Sequence, residues 1–373
     1  MKNLMDAIDE CLMAQGYDPI SGVINNKEKC VRYINRILES VDNKVVIPFG
    51  LALDKYDFRV KHVLFSFGLG VLLAEFCNLD KVIENEYRKY KVDAPFGYIW
   101  LTLCIYHDYG YFGGISFLRS WDIDQIALDY SIFDFDFCTS RYSRHLYRAY
   151  YRKKYQSQNW DKAGYDLSMN KYEEIGDHGI IGGYLLFDKL YASEQKMKMS
   201  SKNHYINKIL DQNNGADNYV VCHPERIPLY QDICYRIMEH NIWKGYGDGQ
   251  EFDEISEKNF IKINTSEPLL FLLSLVDTIE MTKKFCRYTD SGKDKERSVF
   301  PKTLGQKVFI GVSSDKIKIY YGELRKFIKE HNFADSITSW EDSVQGLKDW
   351  VQIHSEKDMN EIDVITVELS YYH

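Results

Sequence analysis

Apolar residues dominate two stretches in the middle of the chain. The segment Val63 to Ala74 is apolar on nearly every side, and Leu269 to Val276 is equally apolar. A helix that is hydrophobic all round is buried on all sides. We therefore expect residues 51–290 to be mostly helical, with two long polar, aromatic-rich insertions at residues 119–174 and 192–226.

The two ends of the chain show other patterns. Residues 1–50 predict short helices, with turns at Gly16 and Asp18-Pro19. From Lys307 the sequence alternates as a strand does, a helical stretch follows, and Ile362 to Leu369 alternates again. The first alternation runs through Val308, Ile310, Val312, Ile317 and Ile319.

These patterns predict a mainly α fold in three parts. An N-terminal helical segment covers residues 1–50, a helical domain with insertions covers 51–290, and a small α+β C-terminal unit covers 300–373. The charged run Asp290 to Arg297 reads as the linker before that unit. Because exposed strands can pair with a second copy, the C-terminal unit leaves homo-oligomerisation open.

Composition narrows the class of protein. With 45% hydrophobic and 15% aromatic residues, the chain of 373 residues can bury a sizeable core. The net charge of -8 offers no basic face for duplex nucleic acid. The eight cysteines contain no Cys-x-x-Cys pair, the N-terminus does not resemble a signal peptide, and the apolar stretches are too short to span a bilayer. We expect a soluble cytoplasmic protein with no membrane partner.

The first candidate for chemistry is the pair His107-Asp108, which ends the apolar run Leu101 to Tyr106. An ionised carboxylate on a core segment costs several kcal/mol to bury without a partner. A divalent metal ion removes that cost. A surface His beside a helix-ending Asp is the plainer alternative.

Four more residues of this kind lie on apolar stripes. They are His62, His178, His240 and Asp277. His240 continues the stripe of Ile233 and Ile237, seven residues after the first and three after the second, so it points inward. Hydrogen-bonded core histidines, and an Asp that only supports a His, remain the alternatives for these positions.

In their order along the chain, these residues resemble the HD-domain superfamily of metal-dependent phosphohydrolases. The resemblance covers about residues 51–290 and implies an HD-domain helical bundle. It implies that one metal ion is held by His62, His107, Asp108 and Asp277. It further implies that Asp108 bridges to a second ion, whose site is completed by His178 and His240.

The donor set restricts the metal and the reaction. Nitrogen and oxygen ligands without thiolate suit manganese, iron, magnesium, cobalt or nickel. Two such divalent ions would activate a water for hydrolysis of a phosphoester, with His107, Asp108 and Lys61 as the catalytic residues. The residues alone leave open whether one ion or two are bound. Further cationic help could come from Arg119, Arg141 and Arg144.

Some residues differ from the family pattern, and other histidines could be considered as ligands in place of those named above. Members that cleave cyclic dinucleotides carry Lys at the place of Tyr111 and a second His at the place of Asn241. Cleavage of cyclic-di-GMP is therefore not expected. His223 is a reserve ligand on a loop. His145 and His204 lie in polar sequence and are expected to face solvent.

Three classes of function follow. The first is a phosphohydrolase, either a phosphodiesterase or a nucleotidase, acting on a nucleotide or a related small phosphorylated substrate. The second is a metal-dependent nuclease on single-stranded DNA or RNA, with a basic groove at residues 141–144 and 152–154. The third is a non-catalytic nucleotide-sensing or interaction protein. Serine hydrolases and P-loop ATPases are disfavoured, because neither a Gly-x-Ser-x-Gly nor a Gly-x-x-x-x-Gly-Lys motif occurs.

Overall fold

The structure is a computed structural model that describes part of the chain. The described ranges are residues 2–40, 57–88, 94–108, 268–282, 301–312, 316–330, 353–357 and 363–368, with residues 183, 232–234, 236, 237, 240 and 340. These residues are mostly helical, which confirms the mainly α class. The expected insertions and the charged linker lie outside the described residues, so the domain boundaries remain predictions.

The N-terminal helices α1 (Leu4–Ala14) and α2 (Lys27–Ser40) flank the expected turn. Gly16 has a φ of 83°, a conformation that side chains rarely adopt, and this residue ends the turn after α1. Asp9 fixes the following loop, because its carboxylate accepts the backbone N–H groups of Ile20 at 2.7 Å and Ser21 at 3.1 Å. The predicted turn at Gly16 is thus confirmed.

Four helices form the centre of the described structure. They are α3 (Asp57–Phe76), α4 (Leu79–Arg88), α5 (Phe96–Tyr106) and α6 (Pro268–Ile279). Helix α3 packs against α1, α2, α5 and α6. Every residue of α5 and α6 is buried, as the apolar sequence of α6 predicts.

A close contact between α3 and α5 sets the position of the candidate site. A Cβ on Gly70 would lie 2.1 Å from Cε2 of Trp100, so only glycine lets the two helices approach this closely. Trp100 also donates its indole N–H to the carbonyl of Phe67 at 3.1 Å. The two helices run antiparallel. His62 precedes Gly70 on α3 and His107 follows Trp100 after α5, so both histidines lie about 12 Å from this contact in the same direction.

The strands make a five-stranded antiparallel sheet in the order β1-β2-β3-β5-β4. Its strands are β1 (Lys2–Asn3), β2 (Phe309–Val312), β3 (Lys316–Tyr320), β4 (Ile353–Lys357) and β5 (Asp363–Glu368). Ile310 pairs with Ile319, and Lys2 pairs with Ile310 on the other side. Helix α7 (Pro301–Gln306) precedes β2, and α8 (Gly322–Glu330) follows β3.

Two of these strands were not expected from the sequence. β1 has only two residues, which is too short to show an alternation, and it pairs with β2 through the backbone. β4 is mostly polar and lies at the edge of the sheet, where polar residues are common and alternation of apolar residues is weak. Residues 1–50 were expected to contribute helices alone, and β1 corrects that expectation.

Within the described ranges, no single helix is long and apolar enough to cross a membrane. The bent pair Arg59–Phe76 and Leu79–Arg88, which meet at 94°, passes such a test on length and composition only.

Candidate metal centre

Four of the candidate ligands meet in the interior. His62 lies on α3, His107 and Asp108 directly follow α5, and Asp277 lies near the end of α6. One donor atom from each lies within 4.8 Å of the others. All four side chains are buried, with Asp277 the most exposed at 7%. The group could hold a metal ion.

The short distances within this group lie between atoms that normally bind metals. Nε2 of His62 lies 3.3 Å from Nε2 of His107 and 3.4 Å from Oδ2 of Asp108. Nε2 of His107 lies 3.4 Å from Oδ1 of Asp277 and 3.7 Å from Oδ1 of Asp108. Neighbouring ligands of an octahedral ion with bonds of about 2.1 Å are about 3.0 Å apart. The four separations given above exceed this spacing by about 0.3 to 0.7 Å, so the donors would have to move closer together to bind such an ion.

Both imidazole rings are held so that the same nitrogen faces the centre. Nδ1 of His107 donates a hydrogen bond to the carbonyl of Cys104 at 2.8 Å. Nδ1 of His62 lies 2.7 Å from Oε2 of Glu280, where it donates to the carboxylate. Each Nε2 is therefore left to face the other ring and the two Asp side chains. A cation between them satisfies both lone pairs.

The charge around His62 favours a positive ion at this position. Burial lowers the pKa of His62, but the charge of Glu280 and the hydrogen bonds to Asp108 and Glu280 outweigh it and raise the pKa to about 9. A proton on His62 thus neutralises part of the negative charge near neutral pH. A bound metal ion would take over that role.

Cys104 does not change the donor set. Burial and the charge of Asp277 raise the pKa of the Cys104 thiol well above its ordinary value. The residue therefore stays a thiol beside the centre, and the nitrogen and oxygen donors define the site.

Sequence reasoning assigned no role to Arg59, which is also part of the centre. Its guanidinium forms a buried salt bridge with Oδ2 of Asp108, and its side chain is 6% exposed. Arg59 lies three residues before His62, so the two share a face of α3. This spacing is the feature of the sequence from which a role for Arg59 could have been predicted.

Glu280 is the second residue that the sequence did not single out. It is 1% exposed and binds His62, three positions after Asp277 and just beyond the end of α6. Glu280 directly follows the mostly apolar and fully buried helix α6, so an acid at this place is as costly to bury as Asp277. The same argument that singled out Asp277 could have found Glu280.

His240 lies beside the group without joining it. Its ring centroid is 5.6 Å from that of His107, with the rings nearly perpendicular. Nδ1 of His240 donates to the carbonyl of Ile237 at 2.6 Å, and Ser274 on α6 donates to the carbonyl of His240 at 3.4 Å. The fully buried His240 therefore points inward, as its spacing predicts.

The other candidates are placed as follows. Lys61 is buried on α3, at 8% exposure, next to His62 in sequence. Adjacent helix positions point in different directions, so its catalytic role remains a prediction. The remaining candidates lie outside the described residues: Tyr111, Arg119, Arg141, Arg144, His145, His178, His204, His223 and Asn241.

No protein-family model matches this chain, and neither a curated protein nor a solved structure matches it significantly.

Proposed function

We propose that the protein is a metal-dependent phosphohydrolase of the HD type. It hydrolyses a phosphoester of a nucleotide or of a related small phosphorylated substrate. The observation that carries the proposal is the buried group His62, His107, Asp108 and Asp277, whose donor atoms lie within 4.8 Å of one another. Two buried acids and two histidines facing one point are costly to fold unless a cation binds them.

The charges in direct contact also support a cation. Counted as ionised, Asp108, Asp277 and Glu280 face the positive charges of Arg59 and protonated His62. Replacing the His62 proton by a divalent ion leaves three positive and three negative charges in contact. The charges of these described groups then balance, which lowers the cost of their burial.

A second ion is the finer part of the proposal. Oδ2 of Asp108 lies near His62 and Oδ1 lies near His107, and the ring of His240 is nearly perpendicular to that of His107, with 5.6 Å between the ring centroids. In this proposal Asp108, His240 and His178 would hold the second ion. Oxygen and nitrogen donors of this kind suit manganese, iron, magnesium, cobalt or nickel.

The bound ion supplies the chemistry, because it lowers the pKa of a coordinated water and withdraws charge from a phosphoryl oxygen. The side chains hold and orient the reacting groups. Asp108 and His107 fix the position at which water and phosphate meet. Arg59 keeps Asp108 in place and offers positive charge to the oxygens on which negative charge develops. We assign Lys61 the same stabilising role from the neighbouring position of α3.

The remaining features of the protein follow the same proposal. In this proposal α3, α5 and α6 belong to an HD-type bundle, and β2 to β5 with α8 belong to a small α+β C-terminal unit, to whose sheet β1 is added. We place the protein in the cytoplasm. The described cysteines support this, since they are free thiols, which are typical of reducing compartments.

The test is hydrolysis of a substrate panel with added Mn²⁺ or Mg²⁺. The panel holds nucleoside mono- and triphosphates, cyclic dinucleotides, and single-stranded DNA and RNA. The Asp108→Asn and Asp277→Asn variants should lose about two orders of magnitude of activity or more, because each loses a charged ligand. Asp9→Asn is the matched control, since Asp9 only fixes the loop after α1.

The alternatives predict different results of the same assay. Cleavage of single strands that falls steeply with salt would favour the nuclease. Binding of a nucleotide without hydrolysis, with every variant alike, would favour the sensor. Equal hydrolysis by wild type and Asp108→Asn would contradict the metal-dependent mechanism.

A further inference from the structure

We infer that Glu280 is a positioning residue that fixes the tautomer and orientation of His62, so that Nε2 of this ring faces the metal. The inference rests on the proposed metal centre and adds a residue to it. Glu280 does not reach the centre itself, because its carboxylate lies on the Nδ1 side of the His62 ring. Its effect on the metal must pass through His62.

The first step is the contact between the two side chains. Oε2 of Glu280 lies 2.7 Å from Nδ1 of His62, and both side chains are buried. A carboxylate can only accept a hydrogen bond, so Nδ1 of His62 must carry the proton. In the neutral ring, Nε2 then keeps its lone pair. A metal-bound His usually donates its other N–H to a carboxylate or carbonyl in this way.

The second step is that Glu280 cannot turn to another partner at low cost. Its other oxygen, Oε1, accepts the backbone N–H of Thr282 at 2.7 Å and also the hydroxyl of Thr282. With both donors on Oε1, the plane of the carboxylate is fixed and Oε2 is directed to His62. Thr282 is itself 1% exposed.

The third step is the anchoring of the backbone that carries Glu280. The N–H of Glu280 donates to the carbonyl of Val276 at 2.8 Å, which extends the hydrogen bonding of α6 by one residue. The carbonyl of Ile279 accepts the indole N–H of Trp340 at 3.1 Å. Trp340 is fully buried, so this end of α6 is held on two sides.

His62 differs in this respect from His107. Nδ1 of His107 donates to a backbone carbonyl, which has no negative charge. Glu280 instead places a full charge behind the ligand, and a carboxylate behind an imidazole raises the basicity of the metal-binding nitrogen. Loss of Glu280 should therefore lower the affinity for the metal ion, although Glu280 is not itself a ligand.

The test compares Mn²⁺ affinity of the full-length wild type with that of Glu280→Gln. Gln has the shape of Glu but only one acceptor oxygen. When that oxygen faces Thr282, the amide group of Gln donates to Nδ1 of His62 and moves the ring proton to Nε2. We expect Mn²⁺ to bind about 10 to 100 times more weakly. Glu84→Gln is the matched control, because Glu84 accepts the backbone N–H of Phe96, at the end of α5 opposite to His107.

A second measurement separates orientation from mere stability. In the Mg²⁺-loaded protein with ¹⁵N-labelled histidine, His62 should show a protonated Nδ1, and Glu280→Gln should lose that signature. Thr282→Val serves as a second variant if Glu280→Gln does not fold. It removes one hydrogen bond to Oε1 and should weaken Mn²⁺ binding about fivefold.

The results that would overturn the inference differ from those that would overturn the metal site. If Glu280→Gln or, in its place, Thr282→Val binds Mn²⁺ as wild type does and keeps the Nδ1 proton, while His62→Gln loses Mn²⁺, the role of Glu280 is wrong and the metal site stands. If wild type does not bind Mn²⁺, the metal site fails and this inference fails with it.

Discussion

Metal binding should depend steeply on pH, because the metal must replace a proton on His62. The pKa of this buried ring is raised to about 9 by Glu280 and Asp108, above its ordinary value of 6.5. Below about pH 9 each ion that binds His62 must therefore displace one proton. The apparent association constant should rise about tenfold for each pH unit in that range, and about a hundredfold between about pH 6.5 and 8.5.

The raised pKa of His62 makes the stability of the metal-free protein change with pH in the opposite direction to its metal affinity. A pKa that is raised on folding stabilises the folded state fully below pH 6.5, and the contribution is lost as pH rises through about 9. The difference corresponds to about 3 kcal/mol. Metal-free protein should thus lose stability as the pH rises toward 9, whereas its affinity for metal increases.

The assay is a Mn²⁺ titration in which free Mn²⁺ is followed by electron paramagnetic resonance at three pH values. Calorimetry at about pH 7.5, in two buffers with different ionisation enthalpies, counts the released protons, and we expect about one per ion bound to His62. An affinity that does not change over this pH range, with no proton released, would refute the claim that the metal displaces a proton from His62.

Three further predictions concern the scaffold. Gly70→Ala should lower the free energy of unfolding by about 1–3 kcal/mol in urea denaturation, because its Cβ would collide with Trp100; Gly22→Ala, with nothing within 4 Å of its Cβ, is the control and should not lower it. Asp9→Ala should cost about 1–3 kcal/mol in the same assay, since the backbone N–H groups of Ile20 and Ser21 lose their acceptor; an unchanged midpoint would contradict this. Tyr87→Phe should cost about 1 kcal/mol, because a buried hydroxyl no longer donates to Asp232; stability equal to wild type would show that this bond contributes nothing.

The sequence predicted the parts of the fold that repeat a simple pattern. The all-round apolar residues of α6 predict a buried helix, and alternation from Lys307 onward coincides with β2 and β3. The close contact of Gly70 with Trp100 could not be predicted, because it depends on which helices become neighbours. β1 is formed by pairing with a strand that is about 300 residues away, which no local pattern reveals.

The candidate site, like the fold, could be predicted from the sequence only in part. His62, His107, Asp108 and Asp277 stood out because polar groups on apolar segments need a partner, and the structure brings them together. No role was predicted for Arg59 or Glu280, because their importance depends on the side chains that they contact in the folded protein. The salt bridge of Arg59 and the hydrogen bond of Glu280 depend on the packing of α3 against α5 and α6.

The most direct test of the central claim is the metal content of purified protein by elemental analysis, for wild type beside Asp108→Asn and Asp9→Asn. The account predicts a bound divalent metal ion in wild type and in Asp9→Asn, about two per chain if His178 and His240 complete a second site. It predicts loss of metal in Asp108→Asn. Wild-type protein that holds no metal, even after reconstitution with Mn²⁺ or Fe²⁺, would contradict the claim that His62, His107, Asp108 and Asp277 form a metal centre.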